Sequence, residues 1–117
     1  VKKVLFIDDS DDNLNLYKIY FKKVEEVEVT FCDNPQEGLE SAINSQYDII
    51  FLDIQMPGMS GFEVLEKIKG EGVTSKIVAL TGFSDVDTIT KIEESDFTSY
   101  LKKPILKKDL ISFVDNG

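Results

Sequence analysis

Val4-Leu5-Phe6-Ile7-Asp8-Asp9 and Asp48-Ile49-Ile50-Phe51-Leu52-Asp53 decide the fold. Each contains a short apolar run that ends on carboxylate. Runs this short, without polar alternation, suit strands covered on both faces, as in a parallel sheet. Strands that enter a core normally end in turn residues, not in a cluster of negative charge. Two carboxylates about 4 Å apart repel by roughly 4 kcal/mol at an effective dielectric near 20. A hard divalent cation relieves that repulsion, and Mg²⁺ takes carboxylate oxygens while keeping water and phosphate ligands. Asp8, Asp9 and Asp53 therefore predict a metal site suited to phosphate chemistry.

Working outward, the pattern predicts strands over 3–7, 27–31, 48–52, 76–80 and 98–101, alternating with amphipathic helices. The first helix opens at Ser10 or Asp11 and carries a stripe of Leu14, Tyr17, Tyr20, Phe21 and Val24. The second starts at Asn34-Pro35, with Leu39, Ala42 and Ile43 facing inward. A turn-rich loop, Met56-Pro57-Gly58-Met59-Ser60-Gly61, leads into a third helix with Phe62, Leu65 and Ile68. The fourth, over 86–94, carries Val86, Ile89 and Ile92, a thin apolar face that predicts loose packing. The fifth, over 107–114, carries Leu110, Ile111 and Val114. Five βα units predict an α/β fold: a doubly wound, five-stranded parallel sheet with five helices. The flavodoxin-like strand order 2-1-3-4-5 puts the ends of the first and third strands together at the topological switch point, where such folds bind ligands.

The chain has 117 residues, enough for one domain over 1–117 and too few for two. Its first residue is Val1, which predicts a piece processed or cut from something longer. Net charge is -9, and all 13 basic residues are lysine. Such a surface repels polyanions, so direct nucleic-acid contact is not expected. With no histidine in the chain, imidazole chemistry is excluded. The single cysteine, Cys32, cannot form an internal disulfide and reads as a small buried hydrophobe, which fits a reducing compartment. No apolar run approaches membrane-spanning length, and no signal-peptide pattern opens the chain.

Four features fall at the ends of the first, third, fourth and fifth strands. They are the acidic pair in FIDDSDDN, Asp53 in FLDIQMPGMSG, Thr81 in ALTG, and Lys103-Pro104 in YLKKP. Alone, each has a plainer reading: a helix N-terminus for Asp8-Asp9, a turn for Thr81, a surface cation for Lys103, a half-buried strand aromatic for Tyr100. Together and in this order, over essentially the whole chain, they make it resemble a receiver (CheY-like) domain of two-component response regulators.

The resemblance implies roles. Asp53 would accept a phosphoryl group from a histidine kinase, a phosphotransfer protein or an acyl phosphate. Asp9, Asp53 and the main-chain carbonyl of Gln55 would bind Mg²⁺, with Asp8 holding a metal-bound water. Lys103 would supply a second cation and Thr81 a hydrogen bond to the phosphoryl group. The Lys103-Pro104 bond would be cis. Thr81 and Tyr100 would form the switch, remodelling the face of the fourth helix, fifth strand and fifth helix for an output partner. Gln55 and Phe83 would tune the phosphoryl lifetime, with bulky Phe83 shielding it from water. Gly82 stands where the family often has alanine. The resemblance further implies a cytoplasmic signalling domain that is not a metabolic enzyme but assists its own phosphorylation and dephosphorylation. It could pair as a homodimer once phosphorylated.

Two other classes are weaker. A phosphohydrolase of the haloacid dehalogenase type wants a second carboxylate two residues after its nucleophile, and here that residue is Gln55. A flavin module wants a hydroxyl- and glycine-rich first loop, and Asp8-Asp9-Ser10-Asp11-Asp12 repels a phosphate.

Overall fold

The computed structural model describes residues 1–116. Five parallel strands, β1 (Lys2–Ile7), β2 (Val27–Cys32), β3 (Ile49–Asp53), β4 (Lys76–Thr81) and β5 (Ser99–Lys102), form one sheet in the order β2-β1-β3-β4-β5. The helices between and after them are α1 (Asp11–Phe21), α2 (Pro35–Asn44), α3 (Gly61–Gly70), α4 (Val86–Glu94) and α5 (Lys107–Asn116). The doubly wound α/β architecture and strand order agree with the sequence reading.

The pleat divides the apolar runs between two layers. Val4, Phe6, Ile49 and Phe51 point toward Leu14, Tyr17 and Phe21 of α1 and Leu110 and Val114 of α5. Leu5, Ile7, Ile50 and Leu52 point the other way, toward Leu39 of α2 and Val64, Leu65 and Ile68 of α3. Both layers are closed, so the central strands are continuously apolar through Val4–Ile7, Ile49–Leu52 and Ile77–Leu80. The first layer is aromatic: Phe6 stacks on Tyr17 and Phe51 at centroid distances of 4.7 and 4.8 Å. α4 belongs to a small satellite cluster of Ile54, Ala79 and Ile92.

Register fixes what meets at the carboxyl edge. Ile7 lies opposite Leu52, so Asp8 and Asp53 follow side by side. Thr81 lies opposite Lys102, so Lys103 comes next on the neighbouring strand. Asp8 and Asp53 continue the alternation of Phe6 and Phe51 on the α1/α5 side, whereas Thr81 continues that of Ala79, on the α4 side.

Three expected core positions differ. Ile43 is 37% exposed, and Gly38 is buried in α2 instead. A Cβ on Gly38 would lie 2.6 Å from Ile7 Cγ2, so the missing side chain lets α2 press onto β1. Val86 is 79% exposed at the start of α4, leaving Ile92 as that helix's one fully buried side chain. Val24 lies beyond α1, which ends at Phe21, yet still packs against the α1-side core.

Candidate functional site

Asp8 and Asp53 are each placed by a strand end and held by local donors. Ser10 caps α1 by accepting from the Asn13 N–H, which turns the chain just after Asp8-Asp9. Asp8 is fully buried; its Oδ1 accepts from the Ser10 N–H at 2.9 Å. Its Oδ2 accepts from Asn13 Nδ2 at 3.3 Å. Asp53 is 3% exposed, and its Oδ1 accepts from the Gln55 N–H at 3.1 Å. Gly61, at the start of α3, folds back over this turn: its N–H donates to the Ile54 carbonyl. A Cβ there would stand 2.5 Å from Ile54 Cα and 2.6 Å from the Asp53 carbonyl oxygen.

Lys103 reaches the acids from β5, where its N–H donates to the Thr81 carbonyl and its bond to Pro104 is cis. Its Nζ lies 3.3 Å from Asp8 Oδ2 and 3.4 Å from Asp53 Oδ2. Tyr20 donates from its hydroxyl to the Ile105 carbonyl at 3.0 Å, tying α1 to the segment that carries Lys103.

The charges do not balance. Asp8, Asp9 and Asp53 offer carboxylate oxygens within 4.8 Å of one another, and one ammonium lies among them. Burial pushes Asp53 up to about 6, opposed by the Gln55 N–H and by Lys103, with Asp8 pushing upward again. Burial likewise raises Tyr17, helped by the charges of Asp8 and Asp53. A hard cation fits this donor set, because Mg²⁺ takes carboxylate oxygens and would offset the excess negative charge that one ammonium leaves. Asp9 is exposed, which leaves a route in from solvent.

The remaining candidates are near the strand ends but do not all face the acids. Thr81 is fully buried, and its hydroxyl is turned to Phe83, accepting from the N–H at 3.0 Å and donating to the carbonyl at 3.3 Å. Tyr100 is 36% exposed on β5, and Phe83 is 46% exposed in the loop after β4. Gln55 is exposed after β3. Sequence reasoning missed Asn13 and Tyr20 as contacts of the site. Asn13 could have been found from its place three residues after the cap and five after Asp8; Tyr20 carries no such signal.

Elsewhere, a cavity of about 570 Å³ opens near the amino ends of β1 and β3, lined among others by Lys3, Tyr47, Asp48 and Ser75. Its polar groups satisfy one another: Asp48 accepts from the Lys3 N–H, and Ser75 donates to the Tyr47 carbonyl. Burial pushes the Cys32 thiol up, which favours its neutral form. Among the described residues, no helix is long and apolar enough to cross a membrane.

The family model described as "Response regulator receiver domain" matches residues 4–115. Hybrid signal transduction histidine kinase G of Dictyostelium discoideum is 33% identical over an alignment of 112 residues that covers 92% of this chain and 3% of that protein. Cell cycle transcriptional regulator CtrA of Caulobacter vibrioides is 30% identical over 94% of this chain and 47% of its own length. The chain thus spans less than half of these relatives. Among solved structures, a CheY-like receiver domain protein of Methanospirillum hungatei superposes with a TM-score of 0.88 at 26% identity, covering 99% of this chain and 92% of that one. The receiver domain of sensor histidine kinase PA1611 from Pseudomonas aeruginosa, solved with magnesium in its active-site cleft, shares the fold at a TM-score of 0.87 and 20% identity, covering 98% and 95%.

Proposed function

Since the chain belongs to the response regulator receiver domain family, we propose that it is a phosphoacceptor switch of a two-component or phosphorelay system, with Asp53 as the acceptor. Receiver domains of this family are signalling domains rather than metabolic enzymes, are regulated by histidine kinases and bind Mg²⁺ at an acidic pocket. One observation carries the reading: a buried carboxylate ends β3, 3.4 Å from a lysine ammonium, with two further carboxylates beside it.

A carboxylate oxygen of Asp53 attacks phosphorus. The bond from phosphorus to the donor's histidine nitrogen, or to the bridging oxygen of an acyl phosphate, breaks, and that nitrogen or oxygen departs with the electron pair. Charge spreads over the phosphoryl oxygens in the transition state, so fixed positive charge is the main catalytic means. Lys103 supplies part of it and follows the phosphoryl group from Asp53 Oδ2. Asp9, Asp53 and the Gln55 carbonyl would hold Mg²⁺, with Asp8 acting through a bound water. The ion supplies neutralisation of the acids and of the incoming phosphate.

After transfer, Thr81 releases Phe83 and donates to the new phosphoryl group. Tyr100 then turns into the space vacated. The face of α4, β5 and α5 changes and is read by an output partner, or by a second copy of the domain. Residues 1–117 act as one cytoplasmic receiver unit, assisting their own phosphorylation and dephosphorylation without touching nucleic acid. Phe83 and Gln55 flank the acceptor's loops and set the lifetime. We expect spontaneous loss of the phosphoryl group over minutes or longer in a dephosphorylation time course, and a half-life of seconds overturns the assignment to Phe83.

The test is an amide NMR titration with Mg²⁺ and then beryllofluoride, a stable mimic of the aspartyl phosphoryl group. Mg²⁺ should shift amides near Asp9, Asp53 and Gln55. Beryllofluoride should extend the shifts to Thr81, Tyr100 and α4, and Asp53→Asn should abolish that second step. No response to either ligand, or an unaltered response in Asp53→Asn, rejects the reading.

A further inference from the structure

Asp8 is fully buried, yet three donors meet its carboxylate: the Ser10 N–H on Oδ1, and Asn13 Nδ2 and Lys103 Nζ on Oδ2. Asn13 is the third residue of α1 after the cap Ser10. In a capping box that position holds Glu or Gln, which reaches back to the N–H of the cap residue. Here Asp8 already accepts the Ser10 N–H. The group within reach of Asn13 is a carboxylate oxygen, which can only accept. A neutral side chain ending in an NH₂ group suits it, whereas glutamate would bring a like charge against Asp8.

The consequence reaches Lys103. Its Nζ is almost equidistant from Asp8 Oδ2 and Asp53 Oδ2, at 3.3 and 3.4 Å. Because Asn13 shares Asp8 Oδ2, the pull of Asp8 on the ammonium is diluted. We infer that Asn13 is a positioning residue: its amide occupies Asp8 Oδ2, so that Lys103 stands between Asp8 and Asp53 instead of closing on Asp8 alone. The kinetic consequence rests on Asp53 being the phosphoacceptor; the placement of Lys103 does not.

Asn13→Ala tests this without removing the helix cap, since Ser10 Oγ accepts from the backbone N–H of Asn13. The first measurement is the side-chain ¹⁵N spectrum of the metal-free protein, with the Lys103 ammonium identified by its loss in Lys103→Ala. Asn13→Ala should move that resonance and weaken its response to Asp53→Asn. The second is phosphorylation by acetyl phosphate at saturating Mg²⁺. The rate constant should fall by roughly three- to tenfold, the range commanded by a single hydrogen bond, with Mg²⁺ affinity held within about twofold. In a Lys103→Ala background, Asn13→Ala should have no further effect; if that background reacts too slowly to time, beryllofluoride affinity in the same four proteins replaces the rate. An unmoved Lys103 resonance overturns the inference, as does a full loss that persists without Lys103. If the unaltered protein is not phosphorylated on Asp53, the proposed function fails, and the metal-free spectrum alone decides the role of Asn13.

Discussion

Asp53 carries a conflict between folding and function. Burial raises its carboxyl from an ordinary 3.8 to about 6, so between those values the folded chain holds a proton that the unfolded chain has lost. Stability therefore falls as pH rises through that window, and the cost is fully present above about pH 6. Asp53→Asn removes the ionising group. In metal-free protein at pH 7.5 it should raise the unfolding free energy by on the order of 2 kcal/mol, measured by urea denaturation, with the gain fading toward pH 4. Unchanged stability at pH 7.5 would show that Lys103 already neutralises the Asp53 carboxylate. At this scale the acids and Thr81 were legible because each terminates an apolar run, and Lys103 because it stands before Pro104 just past the fifth strand. Asn13 went unread although its spacing from Ser10 and Asp8 carries a signal, because a polar contact across a turn leaves no mark in apolar periodicity.

α4 is the least anchored helix. α3 buries Gly61, Val64, Leu65 and Ile68, while α4 buries Ile92. Lys91 lies over the Phe62 ring at 4.3 Å and Asp85 caps the first turn, held low by the Thr88 N–H; both are surface contacts that do not replace a core face. Hydrogen exchange should therefore show α4 amides exchanging at least about tenfold faster than those of α3, because few buried contacts oppose local opening. Equal protection in the two helices would mean that Ile92 and its neighbours hold α4 as firmly as a full face does. A thin face was readable from the spacing of Val86, Ile89 and Ile92, but the exposure of Val86 was not. In α2, a buried glycine leaves no trace in a hydrophobic pattern, so the period pointed to Ile43 where the structure uses Gly38. Close approach to Ile7, not apolarity, selects that position.

The whole molecule is a folded scaffold with uncompensated negative charge at one edge. Its architecture was legible because both layers are closed and five βα units leave few topologies. The register that aligns Asp8 with Asp53 followed from order and run length together. A ligand that binds the folded state alone stabilises it by mass action: about 2.7 kcal/mol when its concentration is a hundredfold above its dissociation constant. Saturating Mg²⁺ should raise stability by that amount, reversed by chelation, and Asp9→Asn should lose most of the gain. Thermal unfolding with and without Mg²⁺ checks this. An equal gain in Asp9→Asn would place the ion elsewhere on a surface of net charge -9.

Thr81 spends its hydroxyl on the N–H and carbonyl of one residue, Phe83. Its one hydrogen cannot serve the Phe83 carbonyl and a phosphoryl group together. Donating elsewhere would strip that carbonyl of its hydroxyl partner, so the turn to Phe83 is either closed or released. A switch built on this hydroxyl, as proposed, would report yes or no. A graded reply would then have to come from the fraction of molecules switched, not from molecules switched halfway.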